Sequence, residues 1–178
     1  MSTDFDAIGK ILGEAGILYE FDDDHQYLKT MWVRDDNPVL LLIMLLENGE
    51  LVQLRAPGLF SAADPDTKPL LFRAMLQMAY ETRLVQFEYD PADGEVSTCI
   101  DIALEDNTLS SQQLLRCCAL LLDVSYLARN RLKTILETGR DPGLDAEGID
   151  REEAQQRQSQ LDEMVELAKK IRSSGGDA

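Results

Sequence analysis

The sequence predicts an α+β fold: an open antiparallel sheet packed by helices in the order α-β-β-β-β-α-β-β-α, followed by one more helix near the C-terminus. Three observations carry this. Residues 38–56, PVLLLIMLLENGELVQLRA, are an apolar run that meets Asn48-Gly49 and returns half-polar, the pattern of a hairpin. A second alternating pair of segments flanks Asp90-Pro91-Ala92-Asp93-Gly94. Segments of helical period stand before, between and after these hairpins.

Asp4 is placed to cap a first helix in which Phe5, Ile8, Ile11, Leu12 and Ala15 recur at helical spacing until Gly16. The period then changes to two, with Ile17, Tyr19 and Phe21 alternating with Leu18, Glu20 and Asp22. Asp22-Asp23-Asp24-His25 reads as a polar turn before a strand over residues 26–35. In the hairpin at Asn48-Gly49, both central residues tolerate the positive φ of a type I′ turn, which sets Glu47 opposite Glu50. That register pairs Leu45 with Val52, Ile43 with Leu54 and Leu41 with Ala56 on a uniformly apolar face directed at the helices. Leu46, Leu51, Met44, Gln53, Leu42 and Arg55 fall on the other face. A two-residue turn at Asp36-Asn37 adds Leu28 and Trp32 to the core face and sets Tyr27, Met31 and Val33 beside Leu40, Leu42, Met44 and Leu46.

Pro57-Gly58 and Asp64-Pro65 mark a loop, after which residues 66–84 read as a helix with Pro69 in its first turn and Leu71, Met75, Met78, Ala79 and Thr82 on one stripe. Val85, Phe87 and Tyr89 begin the second hairpin, whose return strand over residues 95–104 alternates as if one face were solvated. Ser110 or Ser111 opens a long helix ended by Thr138 and Gly139. Its apolar set, from Leu114 to Ile135, is too broad for one stripe and calls for more than one neighbour.

The division expected is a domain over residues 1–139, a linker over 140–149, a C-terminal amphipathic helix over 150–172 and a disordered tail over 173–178. Asp150 and Glu153 suit a capping box, and Leu161, Met164, Val165, Ala168 and Ile171 form one narrow apolar stripe.

Seventeen basic against thirty-three acidic side chains give 178 residues a formal charge of −16, a field that repels phosphate backbones. Nucleic acid and anionic membrane are therefore not expected as partners. Cys99, Cys117 and Cys118 sit in apolar segments without metal-ligand spacing and read as reduced core thiols, which fits a cytoplasmic setting. The longest uncharged apolar run falls far short of the roughly 20 residues that cross a bilayer.

The carriers ILGEAGILYEFDDD, LLLIMLLENGELVQLRA, LLFRAMLQMAYETRLVQFEYDPADGEV and SSQQLLRCCALLLDVSYLARNRL together resemble the YbjN-like family, within the wider fold of type III secretion chaperones. The resemblance covers roughly residues 5–139. It implies an open sheet with helices packed on it, a small acidic protein, frequent dimerisation and protein binding instead of a reaction.

The chemistry-bearing residues do not converge on a reaction. His25 is the sole histidine and lies in a polar turn without an orienting partner in sequence. Asp22, Asp23 and Asp24, like Asp90, Asp93 and Glu95, lack the spacing of a calcium loop. Cys117 and Cys118 point apart on a helix, with Arg116 the only adjacent cation. Arg129, Arg131 and Lys133 complement the end of the long helix and offer a docking site to an acidic partner or to the acidic start of the tail. No cofactor, metal or catalytic residue is expected. The expected function is a non-enzymatic cytoplasmic protein-binding module of chaperone or adaptor type, a homodimer with an unidentified protein partner. Its candidate partner or self-association surface is Tyr27, Met31, Leu40, Leu42, Met44, Leu46 and Leu51. The alternatives are an enzyme with acidic residues in a sheet-helix cleft, and a structural subunit of a larger assembly.

Overall fold

A computed structural model describes residues 3–105 and 107–145. In chain order the elements are α1 (Phe5–Glu14), β1 (Glu20–Asp22), β2 (Tyr27–Arg34), β3 (Asn37–Leu46), β4 (Leu51–Ser61), α2 (Lys68–Glu81), β5 (Gln86–Tyr89), β6 (Glu95–Ala103), α3 (Ser111–Thr138) and a short turn of helix, α4 (Pro142–Asp145). The strands form one antiparallel sheet in the order β1-β2-β3-β4-β6-β5. The expected C-terminal helix over 150–172 and tail over 173–178 lie outside the described residues.

Register follows from turn chemistry. Leu45 pairs with Val52 and Ile43 with Leu54, as the Asn48-Gly49 turn predicts. Glu47, Asn48 and Gly49 all carry positive φ, at 51°, 57° and 93°. The β2–β3 turn differs from expectation by one position in each strand. Its central residues are Asp35 and Asp36, both at positive φ, and Arg34 pairs with Asn37. Pro38 decides this. A turn at Asp36-Asn37 would make Pro38 the closing hydrogen-bonded partner, and proline has no N–H to give. In the observed register Pro38 faces Val33 at a position where the two strands exchange no hydrogen bond. The shift moves partners by two residues, so every side chain keeps its expected face.

Pro57-Gly58 is a bulge inside β4 and not the loop that follows it. Pairing with β6 shifts between Ala56 and Phe60, and Gly58 sits at φ 64°. An irregular point in the ladder is where a missing N–H and a left-handed residue cost least.

The helices pack on one face of the sheet. Ile8 and Leu12 of α1 and Leu114, Cys118 and Leu121 of α3 close over Leu28, Leu41, Ile43, Val52, Leu54 and Ile100. Further along α3, Leu122 and Tyr126 meet Val39 and Ala56. At its C-terminal end Ala128, Leu132 and Ile135 meet Leu71, Ala74, Met75 and Met78 of α2, together with Val96. This explains the breadth of the α3 apolar set: one helix is shared by three clusters. Ser110 and Gln113 form a reciprocal capping box at its start, and Gly139 ends it in the left-handed conformation. Within the core, Thr98 and Ser125 pair hydroxyl to hydroxyl at 2.7 Å, and the Ser125 hydroxyl also lies 2.6 Å from the Leu121 carbonyl.

Past Gly139 the chain turns back on the helices. The Asp141 carboxylate accepts two hydrogen bonds from Arg131, at 2.7 Å from Nε and 2.9 Å from Nη2, and Nη2 also donates to Gln77 Oε1 at 2.8 Å. The Arg131 guanidinium holds the Asp141 carboxyl below its usual range. A depressed folded-state pKa contributes stability that is fully present above the unfolded value of about 3.9 and is lost as pH falls through the folded value. Asp141→Asn is therefore expected to cost about 2 kcal/mol at neutral pH, and the loss should shrink as pH drops below about 4. Urea denaturation at neutral pH and at pH 3 measures both.

Candidate functional site

Because α1, α2 and α3 all lie on one side, the opposite side of the sheet is bare among the described residues. Strand alternation places Tyr27, Lys29, Met31 and Val33 of β2 on it, with Leu40, Leu42 and Met44 of β3, Leu51, Gln53 and Arg55 of β4, and Cys99 and Asp101 of β6. All seven residues of the candidate surface fall on this face. Tyr27, Leu40, Leu42, Met44 and Leu51 are half-buried by their neighbours, while Met31 is 57% and Leu46 37% exposed. Val33, outside the candidate set, is the most open of the patch at 66%. Its signal was in the sequence, two positions beyond Met31 in the same alternation.

The face is graded across the sheet. β2 and β3 contribute almost only apolar side chains. Past β4 the surface turns polar: Arg55 pairs with Glu88 at 3.0 Å and Glu95 at 3.7 Å, and Gln53 donates to Asp101 at 2.8 Å. Cys99 lies fully buried among these groups, and burial, with the Glu88 side chain beside it, pushes its thiol up to about 12. A thiol so raised stays protonated and unreactive near neutrality. Burial likewise raises Cys117 and Cys118, and all three cysteines are free.

The sheet edge is also uneven. β1 pairs with β2 only at Tyr27, Leu28 and Lys29, so among the described residues β2 from Thr30 to Arg34 has no neighbouring strand on that side. The Arg34–Asn37 closure turns the N–H and C=O of Met31 and Val33 outward, away from β3. Two exposed apolar side chains and unpaired backbone groups therefore coincide on one short stretch. The turn before β2 is self-contained: Asp22 accepts from the His25 backbone N–H at 3.0 Å and lies 2.9 Å from its Nδ1. That hydrogen bond to His25 lowers the Asp22 carboxyl. Among the described residues, no three His, Cys, Asp or Glu side chains gather closely enough to hold a metal ion. No described helix is long and apolar enough to cross a membrane.

The sequence matches the YbjN family, described as "Putative bacterial sensory transduction regulator", over residues 4–132. No curated protein matches the chain in sequence. Among solved structures, the fold is similar to YbjN of E. coli, described as "a putative transcription regulator", at a TM-score of 0.57 and 12% identity over 76% of this chain and 93% of that one. It is also similar to a chain of the HopA1-SchA chaperone-effector complex, at a TM-score of 0.50 and 17% identity over 68% of this chain and 88% of that one.

An uncovered face should tolerate charge where the covered one does not. Met31→Glu and Val33→Glu are each expected to change unfolding free energy by less than about 1 kcal/mol, whereas Ile43→Glu, on the helix side, should cost more than about 4 kcal/mol. Urea titration of the three variants checks this, and a large loss from Met31→Glu would mean that the face is covered.

Proposed function

The chain belongs to the YbjN family, and from that footing we propose that it is a non-enzymatic protein-binding adaptor of chaperone-like type, whose bare sheet face receives a segment of another protein. The observation that carries this reading is the coincidence of Met31, Val33, Leu40, Leu42 and Met44 with the unpaired stretch of β2. An extended aliphatic segment laid along β2 would pair its backbone with the free edge and place alternate side chains against the apolar half of the face. Burying each large aliphatic group fully is worth about 1.5–3 kcal/mol, so a few such contacts suffice for specific binding. The polar half, around Arg55, Gln53 and Asp101, would read the partner's charged groups and set its direction.

A chaperone of similar fold is known in a chaperone-effector complex, which favours a protein ligand over a small molecule. We take the setting to be the reducing cytoplasm, where three buried free cysteines are stable, and we take the chain to act as a homodimer with a partner that is neither nucleic acid nor membrane.

Affinity capture from a bacterial lysate with the wild-type chain and with Met31→Glu/Val33→Glu tests the reading. Proteins retained by the wild type and lost from the equally folded variant are expected, by about 10-fold or more for two disrupted apolar contacts. Identical retention by both would sink the proposal. Mass in solution tests the dimer, where a monomer of 20.0 kDa at high concentration removes that part.

A further inference from the structure

Among the described residues, a second unpartnered surface lies on α2. Leu76 and Tyr80, four residues apart, are 73% and 91% exposed on the side opposite Leu71, Met75 and Met78. Arg73 and Arg83 flank them, both exposed. Residues 68–84 carry three basic and one acidic side chain in a chain whose net charge is −16, so this is a locally cationic strip.

The chain is steered toward this strip. Arg131 holds Asp141 and, with the same guanidinium, Gln77 of α2, and it lies 3.8 Å from Glu81. Gly143 passes so close that a Cβ there would meet Arg131 Cζ at 2.1 Å, so the exit path is fixed by contact with that side chain. The described chain thus ends on the helix side of the sheet, at the flank of α2, with the whole sheet between it and the bare face.

The sequence that follows complements the strip in pattern and, over its first part, in charge. Residues 150–166 hold six acidic and two basic side chains, residues 167–172 add three basic ones, and Leu161, Met164, Val165, Ala168 and Ile171 recur at helical spacing. Since residues 142–145 are held in α4, the five residues from Asp145 to Asp150 span about 17 Å at most, less than the roughly 21 Å length of the 14-residue α2, so a segment beginning at Asp150 starts close to the flank of that helix.

We propose that residues 150–172 form an amphipathic helix that lies along the outer side of α2 in the same molecule, its apolar stripe on Leu76 and Tyr80 and the acidic side chains of residues 150–166 beside Arg73 and Arg83. This is independent of the partner assigned to the sheet face. The Arg131–Asp141 pair acts as the pivot that delivers the segment to that side.

Hydrogen exchange of the full chain, read on peptides covering residues 161–171, tests the proposal. In the wild type these amides should exchange at least about 10-fold more slowly than in Leu76→Glu/Tyr80→Glu, both substitutions being on exposed positions. Arg73→Glu/Arg83→Glu should reduce the protection in the same direction and leaves the apolar stripe intact. Equal exchange in wild type and both variants would overturn it, as would protection abolished by Met31→Glu instead, which would put the segment on the sheet face. Zero-length cross-linking of an equal mixture of 15N-labelled and unlabelled chains separates one molecule from two. Cross-links between residues 150–172 and α2 within one label are expected, and mixed-label cross-links would assign the strip to a second copy.

Discussion

The pairing of β3 between β2 and β4 sets everything above it. β3 is apolar at nearly every position, so hydrophobicity alone leaves it free to present either side to the helices. Its partners remove that freedom: Val52, Leu54 and Ala56 on one side are apolar, and Gln53 and Arg55 on the other are not. Fixing this one parity buries Leu41 and Ile43 under α1 and α3 and leaves Leu40, Leu42 and Met44 on the side that bears no helix among the described residues. A slip by one residue would reverse both assignments and bury Gln53 and Arg55 in the apolar layer under the helices, away from Asp101 and Glu88, at a cost of several kcal/mol. The bare apolar face is thus the unavoidable companion of the core.

α3 turns this sheet into a folded domain. Its 28 residues run along the sheet and past its end, contributing to three separate apolar clusters. Where it crosses the sheet, Thr98 and Ser125 satisfy each other in full burial, and Arg34 reaches from the end of β2 to Asp123 at 2.7 Å. Past the sheet it meets α2, and there Arg131 replaces apolar contact with an ion pair. Such a pair adds little net stability over a hydrophobic substitute, but it is directional, because the fork of a guanidinium accepts a carboxylate in one orientation. Direction is what a chain needs at the point where it leaves a domain.

Much of this was legible because alternation and capping are local. The ends of α1 and α3, the β3–β4 register and the two faces of β2 and β3 follow from Asp4, Ser110, Gly139 and Asn48-Gly49 with their immediate neighbours. What was not legible depends on pairing at a distance. A turn at Asp36-Asn37 satisfies local turn preference but would require Pro38 to donate a hydrogen bond across to β2, which only the pairing of the two strands reveals. Pro57-Gly58 resembles a loop unless one knows that β6 continues to pair beyond it. Periodicity gives the stripe of α2 but not the side of the sheet it takes. Its contacts with α3 place it on the side that carries α3.

The seven residues of the candidate surface were readable as one face for the same reason that the core was, since alternation assigns both at once. The grading of that face was less visible. Lys29, Gln53, Arg55 and Asp101 come from strands separated in sequence by up to 72 positions, and only the strand order β2-β3-β4-β6 sets them side by side. A uniformly apolar sheet would bind any greasy segment in either direction and would invite edge-to-edge aggregation. Gathering most of the apolar groups on β2 and β3, and bracing the rest with Arg55–Glu88 and Gln53–Asp101, would restrict adhesion to the strip beside the edge of β2. On the function proposed above, the same arrangement would give a bound segment a direction, since it would meet apolar contacts on one side and a fixed pattern of charge on the other.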